Sequence, residues 1–277
     1  MKKLIFLVPF LTFLVSCSFV SKKVTALPLL GGDDLTTDSI VFDKDQNHVT
    51  VHIYVDYPVG GNAILVNAIA EYIDEIMGGT YEGDLTNGQE VIAGYGQQEW
   101  NHMQDEYREM TADMDPEYIS GIGFYSSYEI RKVYETDQVV TYVTDNDTYL
   151  GGAHGMQYQT GVTFRKSDGR RFGYDMMRNL GTEAFGQLTK QGLKDYFHEG
   201  LSEEVSDEDL KSYLLTEDDV NFLSRPNVEP YMLEEGVLFI YQPYEIAPYA
   251  AGMPTYVVSY DKIKPFLTNT AKKMLGK

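Results

Sequence analysis

The chain has little sulfur chemistry: Cys17 is its one cysteine among 277 residues. An intramolecular disulfide is excluded, so the fold must rest on its packed core even in an oxidising compartment. Cationic charge is scarce as well, with 22 Lys and Arg against 42 Asp and Glu and a formal charge of −20. That balance repels nucleic acid and anionic lipid heads, and it favours basic partners or neutral glycans. No apolar run reaches the ~20 residues of a membrane helix. A nucleophile elbow, a phosphate loop and a dinucleotide fingerprint are all absent from any sensible context. No internal repeat is present.

What the chain does have begins at its start. Lys2 and Lys3 precede the apolar stretch Leu4–Leu14, and Leu14-Val15-Ser16-Cys17 follows. A short positive and then hydrophobic leader ending in small residues and a thiol has the arrangement of a bacterial lipoprotein signal. Residues 1–16 are therefore expected to be a signal peptide. Cys17 is the expected lipidation site, and residues 17–37 are the tether. A tether of this size reaches about 25 Å as a flexible coil. Loss of the leader removes two lysines and no acid, taking the charge from −20 to −22. The expected location is the bacterial cell envelope, anchored by lipid on the outer side of the inner membrane or further out.

The fold is expected to begin near Ser39. Val49, Val51, Ile53 and Val55 alternate with polar residues as in a half-buried strand, ended by Pro58. Asn62 then offers a cap to a helix carrying Leu65, Ile69, Tyr72, Ile73 and Ile76, stopped by Gly78-Gly79. A second helix is expected over 90–110, with Trp100, Met103, Tyr107 and Met110 as a core stripe. Strands rich in Tyr, Val and Thr follow at 124–134, 138–150 and 156–166, with a hairpin turn at 167–170. Helical spacing returns at Thr182, and Ser206/Asp209 and Thr216/Asp219 read as two helix starts. Strands are expected at 236–244 and 255–260, before a terminal segment broken by Pro265. Helices and strands lie in blocks, so the class is α+β, with antiparallel sheet segments packed against helices in one compact unit.

Two segments break these local rules. Tyr149-Leu150-Gly151-Gly152-Ala153-His154-Gly155 interrupts two strong strands with glycines. Tyr241 to Pro254 contains Tyr244, Glu245, Pro248, Tyr249 and Gly252, and its three prolines force the backbone out of a sheet along a set path. Together with the hairpin Thr163–Arg170, these segments resemble a family of bacterial envelope proteins built from adjoining domains of unknown function, DUF4163 and DUF3298. That family includes the extracellular region of RsiV and the non-catalytic region of the deacetylase PdaC. The resemblance spans residues 39–267. It implies a first subdomain over 38–158, a second over 159–267 and a tail over 268–277. It further implies a binding or envelope-maintenance role toward lysozyme or peptidoglycan. The chain lacks the transmembrane and sigma-binding segments of the first relative and the catalytic domain of the second.

The candidate chemistry is sparse. His48, His52, His102, His154 and His198 do not form a metal-ligand pattern. Asp145-Asn146-Asp147 fails as a calcium loop, because Tyr149 and Met156 stand where oxygen ligands are needed. No cofactor and no metal are expected. Glu245 and His154 are the weak catalytic candidates, as a carboxylate-dependent glycan hydrolase would use Glu245 with a second acid. The alternative is structural, with Glu245 accepting from backbone donors and His154 bonding the glycine turn. The expected partners are the membrane, through the lipid, and either a cationic lysozyme-like protein or a peptidoglycan or other glycan.

Overall fold

Alternation sets the first layer. Val49, Val51, Ile53 and Val55 are fully buried along β2 (Val49–Gly60), and the residues between them are half-exposed. A period of two produces this when one sheet face is covered. The computed structural model describes residues 34–115, 119, 121–198 and 203–276. The leader, Cys17 and most of the tether lie outside the described residues. β1 (Thr36–Gln46) begins slightly ahead of the expected start and pairs antiparallel with β2. Asn47 and His48, with φ of 52° and 64°, join them in a two-residue turn whose twist suits a hairpin. β2 runs past Pro58 because its pairing with the next strand ends at Val55, which leaves that flank without a ladder for proline to break.

Asn62 caps α1 (Ala63–Ile76) through Ile64 N at 3.0 Å. Asn87 likewise caps α2 (Gly88–Thr111), on which Trp100 and Met103 are core residues. The two helices form the long crossover that allows β3 (Phe124–Glu135) to pair parallel with β2. β4 (Val139–Tyr149) and β5 (Met156–Arg165) continue as an antiparallel meander. The sheet order is β1-β2-β3-β4-β5. The first six residues of β4 are all buried, because α1 and α2 cover one face of the sheet and a second sheet covers the other.

That second sheet is β6 (Tyr231–Met232), β7 (Gly236–Ile240) and β8 (Thr255–Ser259), all antiparallel. It is joined to the first by a buried polar clasp. Thr141 of β4 and Thr163 of β5 are cross-strand partners and both fully buried. The Thr141 hydroxyl donates to Met232 O at 2.8 Å, and Met232 N–H donates to Thr163 Oγ1 at 2.8 Å. Since the Thr141 proton is committed, Thr163 donates across the 2.8 Å gap between the hydroxyls. Beside the clasp, Gly161 gives Tyr231 room to lie flat on β5, since a Cβ there would sit 2.4 Å from the ring.

α3 (Glu183–His198) packs on β8, with Thr189 and Tyr256 hydroxyls 3.0 Å apart. α4 (Asp207–Tyr213) begins in a full capping box of Ser206 and Asp209. The expected second helix start at Thr216 is not a helix. Thr216 and Asp219 instead accept from Asp218 N and Asn221 N in two local turns, and Leu215 N is taken by Ile246 O. Such side chain-to-backbone bonds compete with helix formation. The chain ends in α5 (Tyr260–Ile263) and α6 (Asn269–Met274). No helix among the described residues is long and apolar enough to cross a membrane.

The N-terminal side of the fold is pinned by charge. Lys166 lies 2.8 Å from Glu135 and 3.7 Å from Asp34, and Lys132 reaches Glu135 at 2.9 Å. Burial alone would raise the Glu135 carboxyl, but Lys166 and Lys132 hold it below its ordinary 4.5.

Two outcomes follow from this framework. Thr163→Val orphans the buried Met232 N–H and should lower stability by about 2 kcal/mol in urea unfolding. A carboxyl held low stabilises above its unfolded value and loses that contribution as pH falls through the folded one. The stability difference between wild type and Glu135→Gln, present at pH 7, should therefore shrink below about pH 4.5 and vanish in stronger acid, as read by unfolding at each pH.

Candidate functional site

The two irregular segments meet in space. The glycine turn leaves β4 at Tyr149 and returns at Met156, with Gly151 and Gly152 at φ of 83° and 102°. Only glycine adopts such values freely. The second segment leaves β7 at Ile240, and Gln242 fixes it to the edge of β5. The Gln242 amide accepts from Gln159 N at 3.3 Å and donates to Gln159 O at 2.8 Å, imitating a neighbouring strand. Pro248 then opens a short 3₁₀ turn, Tyr249–Ala251, closed by Gly252 at φ 72° and ψ −138°. The Tyr196 hydroxyl donates to Ala251 O at 2.6 Å, which holds the end of this turn.

These paths bring His154, Tyr244 and Tyr249 together. His154 stacks on Tyr249, with centroids 3.9 Å apart and planes 19° apart. Tyr249 lies 5.6 Å from Tyr244. The Tyr249 hydroxyl donates to Gly155 O at 2.7 Å, and His154 Nδ1 lies 2.8 Å from the same carbonyl. A carbonyl only accepts, so Nδ1 carries a proton. In the neutral ring, Nε2 is then the acceptor facing the Tyr244 hydroxyl at 3.4 Å. Tyr244 itself is held at φ 65° and is 51% exposed. An aromatic residue in the left-handed region costs on the order of 1–2 kcal/mol and persists only where its surroundings impose it.

The aromatic surface extends onto the sheet. Tyr125 of β3 pairs in register with Tyr149 of β4, and their rings stack at 6.0 Å. The Tyr125 hydroxyl donates to Asp147 at 3.0 Å. Desolvation, followed by this carboxylate, raises the Tyr125 phenol above its ordinary value. Gln157 donates to the other Asp147 oxygen at 3.3 Å. Leu150 is a further exposed large side chain on the turn that builds this end. The result is a platform of rings bordered by carboxylate and amide groups.

Glu245 is placed differently. Its Oε1 accepts from Asn227 N at 2.6 Å and its Oε2 from Gln242 N at 2.7 Å. No hydrogen bond or ion pair joins it to His154 among the described residues. Its role in the fold is to hold two backbone donors, the structural alternative raised by the sequence. No group of three or more His, Cys, Asp or Glu side chains suited to a metal occurs among the described residues. His52 faces Asp43 at 3.9 Å, and His48 stacks on Tyr107.

The platform member Tyr125 carries no local signal, since only strand register brings it beside Tyr149 and the glycine turn. A separate cleft of about 240 Å³ lies at the other end of β4, between the β3–β4 turn and the C-terminal helices. It too has no motif, because three distant segments form it.

Glu245→Gln exchanges one of two acceptor oxygens for a donor. It should lower stability by about 1–3 kcal/mol in chemical unfolding. Stability unchanged by that substitution would remove the structural assignment.

Residues 183–261 match the family described as protein of unknown function DUF3298. No curated protein sequence matches the chain. A crystal structure of a DUF3298 family member from Bacteroides fragilis NCTC 9343 superposes with a TM-score of 0.70 at 20% identity, covering 88% of this chain and 98% of that one. A DUF3298 family protein from Pseudomonas aeruginosa PAO1 gives 0.54 at 16% identity, covering 86% and 96%. At such identities the likeness is one of fold. The segment that supplies α3, the second sheet and the whole of the Tyr244–Gly252 motif is therefore a DUF3298 domain, residues 183–261 of this chain.

Proposed function

We propose that this is a lipid-anchored binding protein of the bacterial cell envelope. In this reading its aromatic platform recognises a basic protein partner, a lysozyme being the candidate suggested by the resemblance to RsiV-like DUF4163/DUF3298 proteins. The observation that carries it is Tyr244, a half-exposed ring held in a costly backbone conformation and braced by His154 and Tyr249. Rigid tyrosines offer contact area at low entropic cost and concentrate binding energy. The acidic balance of the chain favours association with a cationic surface.

Topology agrees with a tethered binder. Thr36 at the start of β1 pairs with Gly60 at the end of β2, and Asp34 lies beside Lys166 and Glu135. These residues share one end of the five-stranded sheet. Tyr125, Tyr149 and the glycine turn stand at the other end, roughly 35 Å away along the eleven residues of β4. A chain tethered at Cys17 would hold its fold by the first end and present the platform at the second.

Calorimetry with a basic lysozyme, and separately with soluble peptidoglycan fragments, tests this reading. Tyr244→Gly removes the ring and relieves the left-handed strain. Lysozyme affinity should drop at least tenfold while fold stability stays within about 1 kcal/mol of wild type or rises. Saturable binding of the glycan alone, or undiminished lysozyme affinity in Tyr244→Gly, would overturn it.

A further inference from the structure

The cleft at the tether end of the molecule is independent of the platform. Its floor is apolar: half-buried Tyr134, Tyr260 and Leu275 line it, above the buried Val139, Met232 and Met274. Met232 is also the residue gripped by the threonine clasp, so the floor is rigidly backed.

The rim carries four charges of both signs. Lys264 and Lys272 are two ammonium groups, and Asp137 and Asp261 are two carboxylates. Among the described residues, none of these four side chains forms an ion pair or a side-chain hydrogen bond. Lysines are the scarcer partner here, with acids outnumbering bases 42 to 22. Lys132, Lys166 and Lys190 are paired elsewhere, while Lys211, Lys262 and Lys273 form no ion pair either among the described residues. Two ammoniums left unpaired on the same cleft as two unpaired carboxylates form a bipolar rim. At about 240 Å³ the space falls below the ~300–1,000 Å³ usual for drug-sized ligands.

We propose that this cleft is a binding site for a small zwitterion of the amino-acid or short-peptide class. The free carboxylate of the ligand faces Lys264 and Lys272, its ammonium faces Asp137 and Asp261, and an aliphatic side chain lies against Tyr134 and Leu275. A simple anion would meet the two carboxylates and a simple cation the two lysines, so the rim selects a molecule carrying both charges. This assignment does not depend on the lipid anchor or on the platform.

The probe is the dipeptide alanyl-alanine, followed through the ¹³C-labelled methyl groups of Met232 and Met274 by NMR on the chain without its leader. N-acetyl-alanyl-alanine and alanyl-alaninamide each lack one charge. Saturable shifts of both methyl signals are expected, weakened at least about tenfold by capping either end of the peptide. The double variant Lys264→Gln/Lys272→Gln should lose discrimination against the amide only. Asp137→Asn/Asp261→Asn should lose discrimination against the acetylated peptide only. Asp137, Asp261 and Lys264 are exposed and Lys272 is half-buried, and an otherwise unchanged methyl spectrum confirms the fold of each variant. Absence of saturable shifts up to about 10 mM peptide, equal binding of the capped peptides, or variants that discriminate as the wild type does would each overturn the proposal.

Discussion

The ring of hydrogen bonds among Thr141, Thr163 and the backbone of Met232 couples two sheets that also meet through side-chain packing and a longer Tyr231–Gln159 hydrogen bond. Each polar atom in it lies where water does not reach, so each must be satisfied by its neighbours. The geometry admits one arrangement, with Met232 as both donor and acceptor and the two hydroxyls in series. Because Met232 belongs to β6 and, among the described residues, β6 pairs only with β7, the clasp also sets the position of β7. The segment that leaves β7, from Tyr241 to Gly252, is thereby aimed at β5 and the glycine turn. The position of the aromatic platform is a downstream consequence of two threonines some distance away.

Elements held by local periodicity were legible in the chain. β2, α1, α2 and the meander from Phe124 to Arg165 were all expected close to their observed limits, because each repeats its own pattern over ten or more residues. The α+β class followed from that blockwise order. What escaped was non-local. β6 is two residues long and exists only because β7 and the clasp hold it. The parallel pairing of β2 with β3 depends on a crossover of two helices, which no short pattern encodes. Thr216 with Asp219 carried a sound helix-start signal, but local turns took the same donors.

The candidate site divides along the same line. Glycines and prolines made the 151–155 and 241–254 segments visible, since each marks backbone that cannot continue a strand. That His154, Tyr244 and Tyr249 would touch was not visible, and neither was the contribution of Tyr125, whose place depends on its register with Tyr149. Glu245 drew attention as an acid among aromatic residues. Its surroundings show why it is there: two backbone N–H groups converge on its carboxylate.

The side chain of Gln242 has an effect beyond fastening its own loop. By occupying both the N–H and the C=O of Gln159, it denies β5 a further strand on that side. The opposite margin of the sheet, β1, stays open but carries Asp38, Asp43, Lys44 and Asp45. One border is thus occupied by hydrogen bonds at Gln159 and the other guarded by mutual repulsion between like copies. A sheet bordered in this way presents neither margin as a template for strand pairing with another copy.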